Sequence, residues 1–315
     1  MKQLISRQVL SGLPAVFLFL AMLLSPKAVF EGAQSGLLLW FQVVFPTLFP
    51  FMLVSGLMLS GGGLNTISRV FGRIFSSVFA TSSNGAFAVI AGFLCGYPMG
   101  AKISADLVRT EKISRDEGAY LLSFCNNTSP VFIMNYIVWK TLGREELLVP
   151  TLAILILVPV SLSFIFRRFY LGSRRRFPDR SEKKKNRTEH FSFSVLDSCL
   201  SDSFEGIVKV GLYIIFFSVV LSLFKEISSE NILICAFLPT LEITNGVLMI
   251  GRSVSDLTVS YPLILGLTSF GGVCAAAQTQ CMLKGTGLPM IPYIIQKLTA
   301  AAAASLTGII FIHIF

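Results

Sequence analysis

The stretch "AGFLCGYPMGAK", Ala91 to Lys102, decides how this chain is read. It begins as an apolar run, then breaks at a Gly-Tyr-Pro-Met-Gly turn with a lysine just beyond. Lipid offers no partner for a free N–H or C=O, so backbone broken at membrane depth survives only where protein or a water-filled cavity covers it. The run before the break, residues 84–95, is too short to cross a hydrocarbon core of about 30 Å at about 1.5 Å per residue. Residues 101–111, after the break, are equally short and carry Lys102, Asp106 and Arg109. Two half-length arms around a Gly/Pro tip predict a re-entrant hairpin over residues 84–111.

Composition sets the class. The 315 residues are 53% apolar and only 14% charged, where soluble domains carry roughly 25% charged residues. Apolar segments of helical length recur along the whole chain without the alternation of strands, which predicts an all-α polytopic membrane protein rather than a β-barrel. Six cysteines form no CxxC pair and fall mostly in apolar segments, so neither a disulfide framework nor a metal site is expected. With two histidines and no HExxH, Walker A or Ser-His-Asp pattern, no enzyme chemistry and no cofactor is expected.

The net charge of +9 is concentrated. Arg167 to Arg187, "RRFYLGSRRRFPDRSEKKKNR", holds ten Lys/Arg and two acids, which leaves sixteen basic and fifteen acidic residues elsewhere. No nucleic-acid-binding fold surrounds it; it reads as a cytoplasmic loop obeying the positive-inside rule and touching anionic lipid.

With the N-terminus and this loop both inside, an even number of crossings separates them. The expected order is a retained first helix over 9–25, a span over 35–60 kinked at Pro46 and Pro50, and an amphipathic surface helix over 64–80 carrying Arg69 and Arg73. The hairpin 84–111 follows. A span over 117–139 is broken by "CNNTSP", Cys125 to Pro130, and 146–166 returns. Beyond the loop come a span over 206–224, a second hairpin over 231–256 with its tip at "EITNG", a span over 260–283 broken by "TSFGG", and a last span over 289–312. This makes seven crossings and two hairpins, with the C-terminus outside. The domains are an N-terminal helix 1–30, a first repeat 31–166, a basic loop 167–202 and a second repeat 203–315.

The halves share a plan of spanning helix, hairpin, broken helix and spanning helix. Pro98 to Asn126 is 28 residues and Thr244 to Phe270 is 26. The first hairpin enters from inside and the second from outside, an inverted repeat whose matching interrupted segments mark a transporter's binding site. Helix ends stopped in mid-membrane expose donors that suit carboxylates and carbonyls that suit cations. The candidate substrate-binding residues are Gly96, Tyr97, Pro98, Gly100, Lys102, Asn126, Asn127, Thr128, Ser129, Thr244, Asn245, Ser269, Gly271, Gly272 and Gln278. Several carry two readings. Lys102 either meets a substrate anion or snorkels to the surface. The Asn126–Ser129 side chains either bind ligand or re-satisfy broken backbone. Glu242, read as the one carboxylate deep in an apolar segment, either couples transport to H+ or Na+ or caps the arm that follows it.

At these residues the chain resembles a known family. "GFLCGYPMGAK", "LLSFCNNTSPVF", "LEITNG" and "SFGG" followed by Gln278 resemble the sporulation integral membrane protein YlbJ family, which carries the nucleoside-recognition, or Gate, domain. The likeness spans roughly residues 40–310, with four motifs in order. One departure is "GGVCAAAQ", Gly271 to Gln278, where the family stretch is more polar. The family is similar in layout to concentrative nucleoside transporters. The resemblance implies export of dipicolinate, a flat dianion, from the mother cell across the outer forespore membrane. A nucleoside-type transporter and a non-transporting Gate-domain scaffold are the alternatives. The expected partners are a small solute, a coupling cation, anionic lipid at 167–187 and no nucleic acid; self-association into a homo-oligomer is compatible with this class.

Overall fold

A computed structural model of the chain describes residues 2–60, 63–172, 176–179, 192–227 and 237–314. Every regular element among them is a helix. Among the described residues five helices are long and apolar enough to cross a membrane: Pro26–Ser60, Glu145–Leu171, Phe193–Glu226, Leu257–Met282 and Met290–Ile314. Their outer faces present Phe30, Phe41, Phe169, Leu212, Ile291 and Leu306 to the surroundings, as helices solvated by lipid do. The described residues make an all-α, multi-pass membrane protein.

In chain order, α1 is Lys2–Leu24 and α2 is Pro26–Ser60. The span expected over 35–60 thus starts nine residues earlier, because Pro26 sits at the first helical position, where a missing N–H costs nothing. Trp40–Val44 forms a widened, π-type turn just before Pro46, whose nitrogen has no hydrogen to give to the ladder. Helix α3 is Gly63–Phe79, α4 Gly85–Cys95, α5 Met99–Arg109 and α6 Arg115–Cys125. Helix α7 starts at Pro130–Phe132 and runs on through Ile133–Leu142. Then come α8 Leu148–Leu171, α9 Phe193–Ile227, α10 Ile243–Ser253, α11 Leu257–Phe270, α12 Gly272–Met282 and α13 Met290–Ile314.

Part of the expected second hairpin, 231–256, lies outside the described residues, which resume at Phe237, before a single tight turn, Leu238–Thr240. Much of the basic loop also lies outside them. What is described there is anchored by Phe177, fully buried, whose N–H donates to the Ala80 carbonyl at 2.9 Å and whose ring stacks on Tyr120. The anchor brings Arg167, Arg168 and Arg176 beside Arg69 and Arg73 of α3, around a cavity of about 780 Å³.

The first long helix is held to α9 by close backbone approach. Gly32 and Gly36 are one turn apart, and a Cβ on either would stand 2.8 Å from α9, at the Ser218 carbonyl oxygen or the Ile215 Cα. Without a hydrophobic force between helices in lipid, small residues that let backbones meet supply the packing. Gly36→Leu is therefore expected to lower stability by about 1–3 kcal/mol through overpacking, read as a fall in melting temperature in detergent. Gln34→Leu on the same helix serves as the control.

Candidate functional site

The first tip is shaped by two glycines. Gly96 ends α4 at φ +84°, a backbone state that side chains with a Cβ rarely adopt. Gly100 lies against the end of α6, where a Cβ would be 2.3 Å from the Cys125 carbonyl oxygen. The short helices α4 and α5 meet at this turn, which includes a cis Tyr97–Pro98 peptide, and the tip rests on the carbonyl end of α6. Helix α6 stops at Cys125, four residues run without helical bonding, and Ser129 restarts the chain by accepting the Phe132 N–H at 3.3 Å, with Pro130 at the first helical position.

Asn126 knits this break together. It is fully buried. Its Oδ1 accepts the Ala101 N–H from the tip at 3.2 Å, and its Nδ2 donates to Thr279 Oγ1 and to the Tyr293 hydroxyl, each at 2.9 Å. Asn127 Nδ2 donates to the Phe124 carbonyl at 2.6 Å. The free carbonyl of Asn126 and the Oδ1 of Asn127 both accept from the ammonium of Lys297, at 3.1 Å each. That ammonium also lies 5.0 Å from the centre of the Tyr97 ring.

In the second half, Glu242 precedes α10 and caps it. Its carboxylate accepts the N–H groups of Thr244 and Asn245 at 3.0 and 2.9 Å and the Asn245 side-chain amide at 2.9 Å. Gly271 and Gly272, both at positive φ, separate α11 from α12, and the Cys274 N–H donates to the Leu241 carbonyl at 2.9 Å. The halves are then tied to each other. The Tyr97 hydroxyl donates to the Ser269 carbonyl at 2.9 Å, and Thr128 Oγ1 donates to the Thr268 carbonyl at 2.9 Å.

Between the tips and the breaks lies a cavity of about 470 Å³. Of the expected residues, Gly96, Tyr97, Thr128, Ser129, Glu242, Thr244 and Gln278 line it. Pro98, Gly100, Asn126, Asn127, Asn245, Ser269, Gly271 and Gly272 do not; they shape or bond the backbone behind it. Lys102 lies elsewhere. Its ammonium pairs with Asp106 at 2.7 Å, one turn along α5, in a separate groove. The helix starts expected to offer N–H donors to a solute are already partnered by Glu242, Ser129 and Asn126. The remaining wall is largely apolar, from residues such as Leu39, Val43, Leu48 and Phe51 of α2, with Asn135 and Lys140 of α7 adding polar groups.

Two buried charges escaped the sequence reading. Lys297 is 2% exposed in the middle of an apolar helix, and an ionisable residue in a spanning segment is itself a signal of function. Glu117, 1% exposed in the first turn of α6, accepts the Ser82 N–H at 2.6 Å, so Glu242 is not the only deep carboxylate. Its motif, "SRDEG", reads from sequence as a helix start and gives no hint of depth.

The chain is 25% identical over 322 aligned positions to the sporulation integral membrane protein YlbJ of Bacillus subtilis (strain 168), covering 92% of this chain and 79% of that protein. No family model matches the chain, and no solved structure matches it.

Because Asn126 bonds three elements beyond its own, α5, α12 and α13, and does not line the cavity between the breaks, Asn126→Ala is expected to act on folding. It strands the Ala101 N–H and takes one donor from the Thr279 and Tyr293 hydroxyls, which keep each other at 3.3 Å, at a cost of roughly 1–3 kcal/mol. Thermal unfolding should show that loss, while solute binding per folded molecule stays within about twofold of the parent, well under the factor of ten that 1.4 kcal/mol would give.

Proposed function

Since the chain belongs to the family of the sporulation integral membrane protein YlbJ, we propose that it transports a small polar solute through the cavity between its two helix breaks. One observation carries this reading: the same 470 Å³ space is walled by both tips, by the first break and by the helix that follows the second, through Gly96 and Tyr97, Glu242 and Thr244, Thr128 and Ser129, and Cys274 and Gln278 of α12. That volume falls within the range of small-molecule sites. Short helices that stop inside the membrane around one cavity are the arrangement by which transporters expose a fixed site to each side in turn, one repeat rocking against the other. In this reading α4 and α5 form a re-entrant hairpin, and α10 is the return arm of its inverted counterpart.

The solute we propose is dipicolinate, moved toward the forespore. The wall supports a flat molecule with polar ends: apolar residues of α2 offer a face for a ring, and Lys140, Asn135, Ser129 and Gln278 offer a cation, amides and a hydroxyl for carboxylates and a ring nitrogen. The activity we propose is transport rather than catalysis. Glu242 is the group we assign to gradient coupling, since its carboxylate both lines the cavity and holds the start of α10.

Thermal unfolding of purified protein against dipicolinate, nucleosides and sugar phosphates tests the solute. A ligand at 100 times its Kd stabilises by about 2.7 kcal/mol, and dipicolinate is expected to give such a shift. Gln278→Leu should weaken it about tenfold, the loss of about one hydrogen bond. A shift with nucleosides alone would replace the solute, and silence across the panel together with no flux in proteoliposomes would favour the scaffold.

Coupling has its own test. Glu242→Gln keeps an acceptor for the α10 N–H groups but cannot carry a charge, so it should abolish uphill accumulation driven by a gradient while retaining most equilibrium binding. Normal uphill transport by that variant would remove Glu242 from the mechanism.

A further inference from the structure

The carbonyl end of α6 already holds a cation, and it is the protein's own. Asn126 is the residue at which α6 ends, and its carbonyl is one of those left without a helical partner. That end of the helix carries a partial negative charge. Beside it stands the amide oxygen of Asn127. A backbone carbonyl, an amide oxygen and a helix C-terminal end are the groups with which interrupted helices coordinate Na+. In this protein both oxygens receive the Lys297 ammonium at 3.1 Å. The Tyr97 ring covers a further face of the ammonium. No carboxylate lies within ion-pair distance of Lys297 among the described residues.

A buried ammonium without a counter-ion costs several kcal/mol unless dipoles replace its water. Here neutral oxygens, a helix end and a π face do so, which is the solvation a bound metal cation would need. The second break has no such arrangement. Its free carbonyls, at Thr268 and Ser269, take hydroxyl donors from Thr128 and Tyr97.

We propose that Lys297 is a tethered cation occupying the monovalent-cation site at the α6 break, so that this break works without Na+. The consequence for coupling rests on the transport reading of the cavity; the cation site itself does not. Tyr97 connects the two, since one residue covers the ammonium, lines the cavity and bonds the opposite break. The charge on Lys297 thus positions the tip that walls the site, without touching the solute.

The test removes the tether and asks whether a free cation takes its place. Lys297→Ala should melt well below the parent protein and recover several degrees of that loss with ethylammonium or propylammonium, which carry the same head group on a shorter stem. Na+ or Li+ should recover part of it, and choline, too large for the space, none. Lys297→Met fills the space without the charge, so it should be destabilised and unresponsive to every amine. The parent should show the same melting temperature in Na+, K+ and choline. Rescue of Lys297→Ala alone supports the tethered cation whether or not any solute is found. Stability of Lys297→Met equal to the parent would overturn it, and so would amine-insensitive melting of folded Lys297→Ala. If Lys297→Ala does not fold, the parent decides: Na+-dependent stabilisation there would show that the site is not filled by the lysine, and indifference to the cation supports the proposal.

Discussion

A helix that stops inside a membrane leaves several backbone donors and acceptors with no water to turn to. Each such group left bare costs about 1–3 kcal/mol in a protein interior and more against hydrocarbon, while a whole domain is stable by only about 5–15 kcal/mol. Four interruptions in this chain would therefore forbid the fold unless every one were met from within. The rest of the structure follows from how they are met. Asn126 ties the first tip to the first break and to α12 and α13. Glu242 closes the start of α10, Lys297 the end of α6, and Tyr97 with Thr128 the end of α11.

The two breaks are solved by different chemistry. The first uses a charge, the Lys297 ammonium, with the amides of adjacent asparagines. The second uses glycine, hydroxyls from the other half, and a carboxylate at the neighbouring tip. A basic side chain thus stands at the first break and an acidic one at the tip beside the second, each satisfied by the polarity of the helix end it faces. The bonds from Tyr97 and Thr128 to Ser269 and Thr268 stand beside those of Asn126 and Lys297 among the ties between the halves, so relative movement of the halves has to exchange bonds of this kind. Hydroxyl-to-carbonyl bonds between neutral groups are the weaker kind, worth about 1 kcal/mol net each, which suits contacts that must open and reform.

Once the backbone is satisfied, little polarity is left over for the cavity. Ser129, Asn135, Lys140 and Gln278 add polar groups to a wall that is largely apolar. Gln278 Nε2 donates to the Cys274 thiol at 3.3 Å, a weak acceptor, so its amide has much to gain from a solute. The asparagines that stand out in "CNNTSP" are fully employed behind the surface.

What the sequence determined by itself was where the chain breaks. The class followed from hydropathy. The interruptions at Gly96–Pro98, Cys125–Pro130, Glu242 and Gly271–Gly272 could be placed because Gly, Pro and Asn in an apolar run have few other uses at membrane depth. The capping reading of Glu242 was also open to inspection, since an acid just before a helix start accepts its first N–H groups wherever it lies. Tertiary structure alone decided which partner each broken end takes. Lys297 lies 171 positions from Asn126 and Tyr97 lies 172 from Ser269, and no local pattern encodes such pairs. It also decided which polar residues face the cavity. Asn126 and Ser129 are three positions apart in one irregular segment without helical periodicity, so no sequence rule sets the directions of their side chains. For Lys102 the sequence offers a substrate anion or the membrane surface, and the packing of α5 against its neighbours sets its ammonium against Asp106 instead.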